Sequence, residues 1–412
     1  MTRLTAALLT TCLGLPALPL AAQEAPLTVA MHYTQEQAAP LIACLDAYDV
    51  PAEYQQISYG DYLQTVLTGR LAGQSPDIYN VYSIWAAQMV DNDVLATPPE
   101  AVQSFVRDGY SGGTVDAATI DGTLWGVPTE VSVYMLVSNM ALLRAAGFDA
   151  PPTTWETLRE IAEAVTTTNE QGRTETAGFA FAESSSGAGM VHPFYALFFS
   201  EGGDVYSDDR TEANLDGEAG RTALDNMAGL VRDGIADLSV DAYDFPAGGI
   251  GMMIMANWYE SAIREGLGDG FQDVVVSQIP MGEDWKTLQY AFFMGVDSAS
   301  DRQEAAWELV RHLNAPQGDA PSCVAQMLDG LGALTASTAD TAALPAADAF
   351  TQPYVDALAG DRAVSQPNVM QAAEIERMMA QTFEEVLAGE RETDPALEAL
   401  DAEIEDILFE FY

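Results

Sequence analysis

The feature that most constrains this chain is an alternation of short apolar runs with amphipathic segments, beginning near its start. Leu27 to Tyr33 reads as a strand with little polar–apolar alternation, as expected when both faces of a strand are buried. A helix is expected from about Gln35 to Tyr48, then a strand over Tyr54 to Ile57. Tyr59 to Leu71 reads as a second helix, because Tyr62, Val66, Leu67 and Leu71 share one stripe and Gly73 follows them. Pro76 to Val81 reads as a third strand. Strands separated by helices imply a parallel α/β sheet. The chain has 412 residues, more than one hydrophobic core usually supports, so two lobes are expected.

The middle and end of the chain continue in the same style. Asp121-Gly122 reads as a turn feeding a short strand that Pro128 terminates. Val131 to Val137 reads as a buried strand, and Ala141 to Ala146 as a helix closed by Gly147. Thr153 to Glu156 has the spacing of a capping box, and so does Ser300 to Gln303. Arg221 to Asp233 reads as a helix, Ile250 to Met255 and Val274 to Ile279 as strands. The last helix is expected to use Asp394 as N-cap and Pro395 at its first position.

Composition narrows the function. There are 62 acidic and 16 basic residues, a net charge of −46, and the single lysine is Lys286. Nucleic-acid binding needs basic clusters to neutralise phosphates, and none exist. An anionic membrane surface is disfavoured for the same reason. A neutral or cationic ligand suits this field better than an anionic one. The first residues read as a secretory signal: Arg3, an apolar run from Leu4 to Leu20, and a small-residue cleavage site ending at Ala22. Cys12 invites a lipoprotein reading, but Thr10 and Thr11 are poor residues before a lipidated cysteine. Cleavage leaves Cys44 and Cys323. An oxidising compartment favours a disulfide between them, and their spacing does not show whether the fold brings them together. The methionines at 252, 253 and 255 read as core, because neighbours on a strand point to opposite faces. The three histidines are too scattered for a zinc signature, and no metal or cofactor is expected.

The wording from Asp121 to Pro128, with its sequel Pro152 to Leu158, closely resembles the family 1 extracellular solute-binding proteins, the periplasmic sugar receptors of ABC importers. Other passages agree in order. Tyr62 to Asp77, Phe198 to Gly203, Phe245 to Trp258 and Gly295 to Leu313 are each similar to a passage of that family. Two places depart from it: Gly332-Ala333-Leu334-Thr335 lacks the usual proline, and Asn139 is flanked by Ser138 and Met140. The resemblance implies a two-lobed α/β periplasmic-binding fold of the type II kind. Its hinge would be crossed three times, near Val131–Val137, Pro280–Phe293 and Gly332–Thr338. One lobe would hold residues 23–130 plus 286–334, the other 131–285 plus 335–412. It further implies a monomeric, non-catalytic periplasmic receptor that captures a saccharide or polyol between its lobes. Its partners would be the membrane permease subunits of an ABC importer. The competing reading is a secreted carbohydrate-active hydrolase, which needs two carboxylates at a set separation.

A sugar needs aromatic faces for its C–H surface and planar polar groups for its hydroxyls. Trp258 matches the family's stacking tryptophan, against a core role. His32, Tyr33, Thr34 and Gln35 leave the C-terminal end of the first strand, where Thr34 competes as a helix cap. Tyr82, Ser83 and Trp85 follow the third strand, and Trp85 reads equally as core. Glu130, Ser132 and Tyr134 sit at the first crossing, where an acid could accept sugar hydroxyls. His192 precedes an aromatic-rich helix. Asn257 and Glu376 complete the expected set.

Overall fold

The computed structural model describes residues 25–110, 112–182, 189–360 and 362–412. The expected leader over residues 1–22, with Cys12, lies outside these.

One strand organises the fold. Val127–Asn139 is thirteen residues long and buried along its whole length. Its first half pairs antiparallel with Thr287–Val296, from Met294 opposite Val127 to Gln289 opposite Val133. Its second half pairs antiparallel with Ile250–Ala256, from Ala256 opposite Tyr134 to Met252 opposite Ser138. The other edge is divided in the same way, with Leu334–Thr335 on the first half and Val274–Ser277 on the second. A single strand therefore serves two sheets, the arrangement of a two-lobed fold. On the first side the order runs Ala52–Gln56, Leu27–Met31, Ile78–Tyr82, Thr287–Val296. On the second it runs Ile250–Ala256, Thr174–Phe181, Thr167–Thr168.

The sequence led to a parallel sheet, and the outer strands obey: Leu27–Met31 lies parallel to both of its neighbours. The pairs around Val127–Asn139 are antiparallel instead. Pro128 does not end a strand. It lies inside the long one, opposite Phe293, where the ladder with Thr287–Val296 slips register between Ala291 and Phe293. A bulge is one of the few places where a residue without an N–H fits between paired strands.

Helix starts shifted by one or two positions. Thr154, not Thr153, caps Trp155–Val165, with Thr157 completing the box. Ser300 does not cap Gln303–Asn314, because the helix starts later and Arg302 holds the cap position; the Ser300 hydroxyl accepts from the Arg302 N–H at 3.1 Å and donates to Asp77 at 2.6 Å. The last helix begins at Thr393, so Asp394 and Pro395 lie within its first turn. The two cysteines are joined: Cys44 on Ala39–Asp46 and Cys323 at the head of Cys323–Leu331 have Cα atoms 6.2 Å apart. Met252 and Met253 are buried in different hydrophobic clusters, as opposite faces of a strand require.

Candidate functional site

A cavity of about 270 Å³ lies where the two sheets share their strand. Each wall comes from an element end or a fixed strand face. His32 and Tyr33 leave the C-terminal end of Leu27–Met31, where open α/β sheets present ligand contacts. Glu130 projects from the shared strand. Tyr290 and Phe292 stand two apart on Thr287–Val296 and so face the same way. Trp258 sits in the turn Asn257–Tyr259 directly after Ile250–Ala256, and Tyr243 in the turn Ala242–Ala247. Tyr59, Gln37, His192 and Leu331 close the remaining sides. A larger groove of about 870 Å³ runs along the Ala-rich segment from Leu344 to Asp348, but among the described residues no aromatic side chain lines it.

The polar groups in the cavity are fixed by their neighbours. Glu130 is 3 % exposed. One of its oxygens accepts from the Tyr33 hydroxyl and the other from Ser132 Oγ at 2.7 Å. Burial pushes the Glu130 carboxyl above its ordinary range, while those two hydroxyls pull it back. The Tyr33 phenol rises through burial first and the neighbouring Glu130 charge second. The main chain of the same residue is anchored as well, where the Tyr54 hydroxyl donates to the Tyr33 backbone carbonyl at 2.5 Å.

His32 stacks against Phe292 with ring centroids 4.8 Å apart, and burial lowers its pKa to about 3. Its Nδ1 lies 3.1 Å from Asn80 Nδ2, an amide donor, so Nδ1 accepts and Nε2 carries the proton. His32 is thus a neutral donor at any physiological pH. His192 is held at both nitrogens: Nδ1 is 2.8 Å from Tyr134 Oη, and Nε2 is 3.2 Å from Glu376 Oε1. The indole N–H of Trp258 is buried and meets no hydrogen-bond acceptor among the described residues. Aromatic faces with a few directed donors and one carboxylate can hold a small hydroxylated molecule by stacking and hydrogen bonds.

The family model for bacterial extracellular solute-binding proteins matches residues 34–320. The chain belongs to this family. Membership in this extracellular solute-binding family carries a periplasmic or extracellular location. A search of curated protein sequences finds no match. Among solved structures, the sugar-binding protein MalE of Xanthomonas citri is 21 % identical, with 94 % of this chain and 98 % of that one covered and a TM-score of 0.76. The GacH receptor of Streptomyces glaucescens is 18 % identical, covering 94 % and 99 %, with a TM-score of 0.79. The maltotriose binding protein of Thermus thermophilus is 18 % identical, covering 93 % and 100 %, with a TM-score of 0.76. At these identities the likeness is one of fold, and it is the two-lobed fold.

In this solute-binding protein, five of the expected residues line the cavity: His32, Tyr33, Glu130, His192 and Trp258. The others stand elsewhere. Thr34 and Gln35 are exposed, and Thr34 exchanges hydrogen bonds with Gln37, closing the turn before Ala39–Asp46. Trp85 is core, stacked on Tyr62 at 5.0 Å. Ser83 is buried outside the cavity, beside a small void behind Tyr290. Asn257 turns back to accept from the Val133 N–H at 2.9 Å and so pins the turn that carries Trp258.

Ser132, Tyr134, Tyr82 and Glu376 form a supporting layer. Ser132 holds Glu130, while the other three surround His192, and Tyr82 reaches Gln366 at 2.5 Å. Gln366 in turn donates to Glu376 at 3.1 Å. The residues missed from sequence are Gln37, Tyr59, Tyr243, Tyr290, Phe292 and Leu331. For Tyr290 and Phe292 a signal existed, since the alternation along 288–292 places them on one face.

Proposed function

We propose that this protein is a non-catalytic periplasmic receptor for a saccharide or polyol, which it delivers to the permease subunits of an ABC importer. The observation that carries the reading is the cavity itself. Aromatic rings from both sheets converge there with one carboxylate and two histidines. Its volume is near the lower end of ordinary ligand pockets, roughly 300–1,000 Å³, and suits one or two sugar rings. The names of the solved structures agree: one is a sugar-binding protein, another was solved with maltotriose. In this reading the lobes are residues 23–130 plus 286–334 and 131–285 plus 335–412, exported behind the leader at 1–22, and the protein acts as a monomer. A ligand touching both lobes favours the closed arrangement, and that arrangement is what a transporter reads.

The hydrolase reading draws less support. Among the described lining residues Glu130 is the single carboxylate, and Glu376 is engaged behind His192. The string Gly109-Tyr110-Ser111-Gly112-Gly113 has the Gly-x-Ser-x-Gly form of a nucleophile elbow. An elbow must follow a strand, whereas Gly109 ends the helix Glu100–Gly109.

The test is thermal unfolding of the mature protein against sugars, polyols, sugar phosphates and amino acids. At a hundredfold excess over Kd, binding adds about 2.7 kcal/mol. For about 390 residues melting together that raises the midpoint by about 3 °C. The expected outcome is a shift with one carbohydrate group, lost in Trp258→Ala. A shift with amino acids or anions alone would overturn the ligand class. Consumption of the ligand would overturn the receptor.

A further inference from the structure

The buried carboxylates of this protein are partnered in a consistent way, and Glu130 breaks the pattern. Asp77, Asp297 and Glu260 each face an arginine, Arg302 at 2.9 Å, Arg70 at 2.6 Å, and Arg264. Asp340 accepts the Ser322 N–H at 2.7 Å, and Asp401 the N–H groups of Leu215 and Asp216 at 3.2 and 2.8 Å. Glu376 has the imidazole of His192 and an amide N–H from Gln366. Glu130 has two hydroxyls, Tyr33 and Ser132, and among the described residues no arginine or lysine lines its cavity. A carboxylate offers about four lone-pair positions, so two remain open. A buried carboxylate without a counter-charge is costly to keep ionised. Here it faces a cavity whose walls are tyrosine, tryptophan and phenylalanine, the ring types that attract cations. Tyr59 and Tyr290 line the same cavity as Glu130.

We propose that the ligand is a saccharide or cyclitol carrying a protonated amine. The ammonium group completes Glu130 beside the rings of Tyr59 and Tyr290, and the sugar's C–H face lies on Trp258. This rests on the saccharide reading above and specifies its substrate class. The carboxylate accepts two ammonium N–H bonds at its open positions, and the rings supply the desolvated cation–π contact. Attraction by a chain of net charge −46 concentrates such cations near the protein.

The experiment is isothermal titration of the mature protein at a pH where the amine is charged. D-glucosamine and D-galactosamine are each compared with the parent hexose and the N-acetyl sugar, and choline serves as a cation without a sugar ring. Hydrogen bonds to charged groups predict the amine to bind about tenfold to a hundredfold more tightly than its neutral parent. The N-acetyl sugar, whose amide stays neutral, should lose the same factor. In Glu130→Gln the amine-to-parent ratio should fall to about one. Equal binding of amine and parent by the wild-type protein would overturn this inference and leave the saccharide receptor standing. A ratio that survives in Glu130→Gln would overturn the role of Glu130. If that variant does not fold, the wild-type comparison of amine with N-acetyl sugar decides alone. Choline binding without any carbohydrate binding would overturn both the saccharide reading and this inference, and so would a panel in which nothing binds.

Discussion

The Cys44–Cys323 bond allows a stability prediction with a worked magnitude. Its cysteines are 279 residues apart in sequence. Both lie on helices packed in one hydrophobic cluster, which also holds Leu27, Val29, Ile78 and Val296 of the first sheet. Cross-linking the unfolded chain over such a loop removes about 19 cal/mol/K of entropy, or about 5.6 kcal/mol at 25 °C. That figure assumes that everything between the cysteines unfolds together. The enclosed segment contains Thr174–Phe181 and Ile250–Ala256 of the second sheet. If that sheet outlasts the first, the effective loop is shorter and the loss smaller. Replacing both cysteines with alanine should therefore lower the unfolding free energy by about 2–5 kcal/mol. The urea m-value should rise, because the freed unfolded chain exposes more surface. Equilibrium urea unfolding by circular dichroism measures both, and the reduced wild-type protein separates the cross-link from the lost thiol packing. Ligand affinity should change less than about twofold, since neither cysteine lines the cavity. A loss below about 1 kcal/mol with an unchanged m-value would refute the reasoning. It would mean that the unfolded chain is already held together without the bond.

Two further perturbations follow from burial. Asp401 is 5 % exposed, and burial, opposed by the N–H groups of Leu215 and Asp216, raises its pKa to about 6. Its native pKa exceeds the unfolded value, so the folded state holds the proton more tightly. This group's contribution should thus favour folding increasingly as pH falls from about 6 to about 4, by at most about 3 kcal/mol; Asp401→Asn should flatten that part of a pH–stability curve, and an unchanged curve would count against it. Gly178→Ala should cost more than about 3 kcal/mol, because its Cβ would fall 1.9 Å from the Ala162 carbonyl oxygen, a backbone atom that cannot step aside; a variant melting within a degree or two of wild type would contradict that packing.

Much of the architecture was written locally. Leu27–Met31 and Ile78–Tyr82 are apolar on both faces because sheet neighbours and packed helices cover them, and such runs are visible without knowing the partner. Gly73 and Gly147 could be read as helix ends, since both occupy positive-φ positions. The shared strand was harder. Pro128 is a strand breaker by local chemistry, and it is tolerated because its own strand bulges beside it, Thr129 and Glu130 standing against the single Phe292 of a strand about 160 positions away. Helix caps failed for a related reason. Ser300 has the spacing of a cap, yet the helix begins two residues later, and its hydroxyl bridges the Arg302 N–H and the buried Asp77.

The site shows the same division more sharply. Residues at strand ends were legible, because the end of Leu27–Met31 and the turn after Ile250–Ala256 must open toward whatever lies between the sheets. What sequence could not separate was the lining of the cavity from the layer behind it. Tyr82, Tyr134 and Glu376 were expected to touch ligand, and each instead touches His192. That placement has a functional consequence. An imidazole bonded at both nitrogens cannot turn, so His192 presents a fixed edge to the cavity, whereas His32, held at Nδ1 alone by Asn80, keeps its Nε2 proton free to donate. Of the two histidines, His32 is therefore the one that can give a hydrogen bond to a ligand hydroxyl. Glu130, with its two open lone-pair positions, is the group that can receive one from the ligand. The donor and the acceptor come from different strands, Leu27–Met31 and Val127–Asn139, and Trp258 comes from beyond the second sheet. A ligand that satisfies all three must span the junction of the sheets, and that is the condition for occupancy to bias the lobes toward closure.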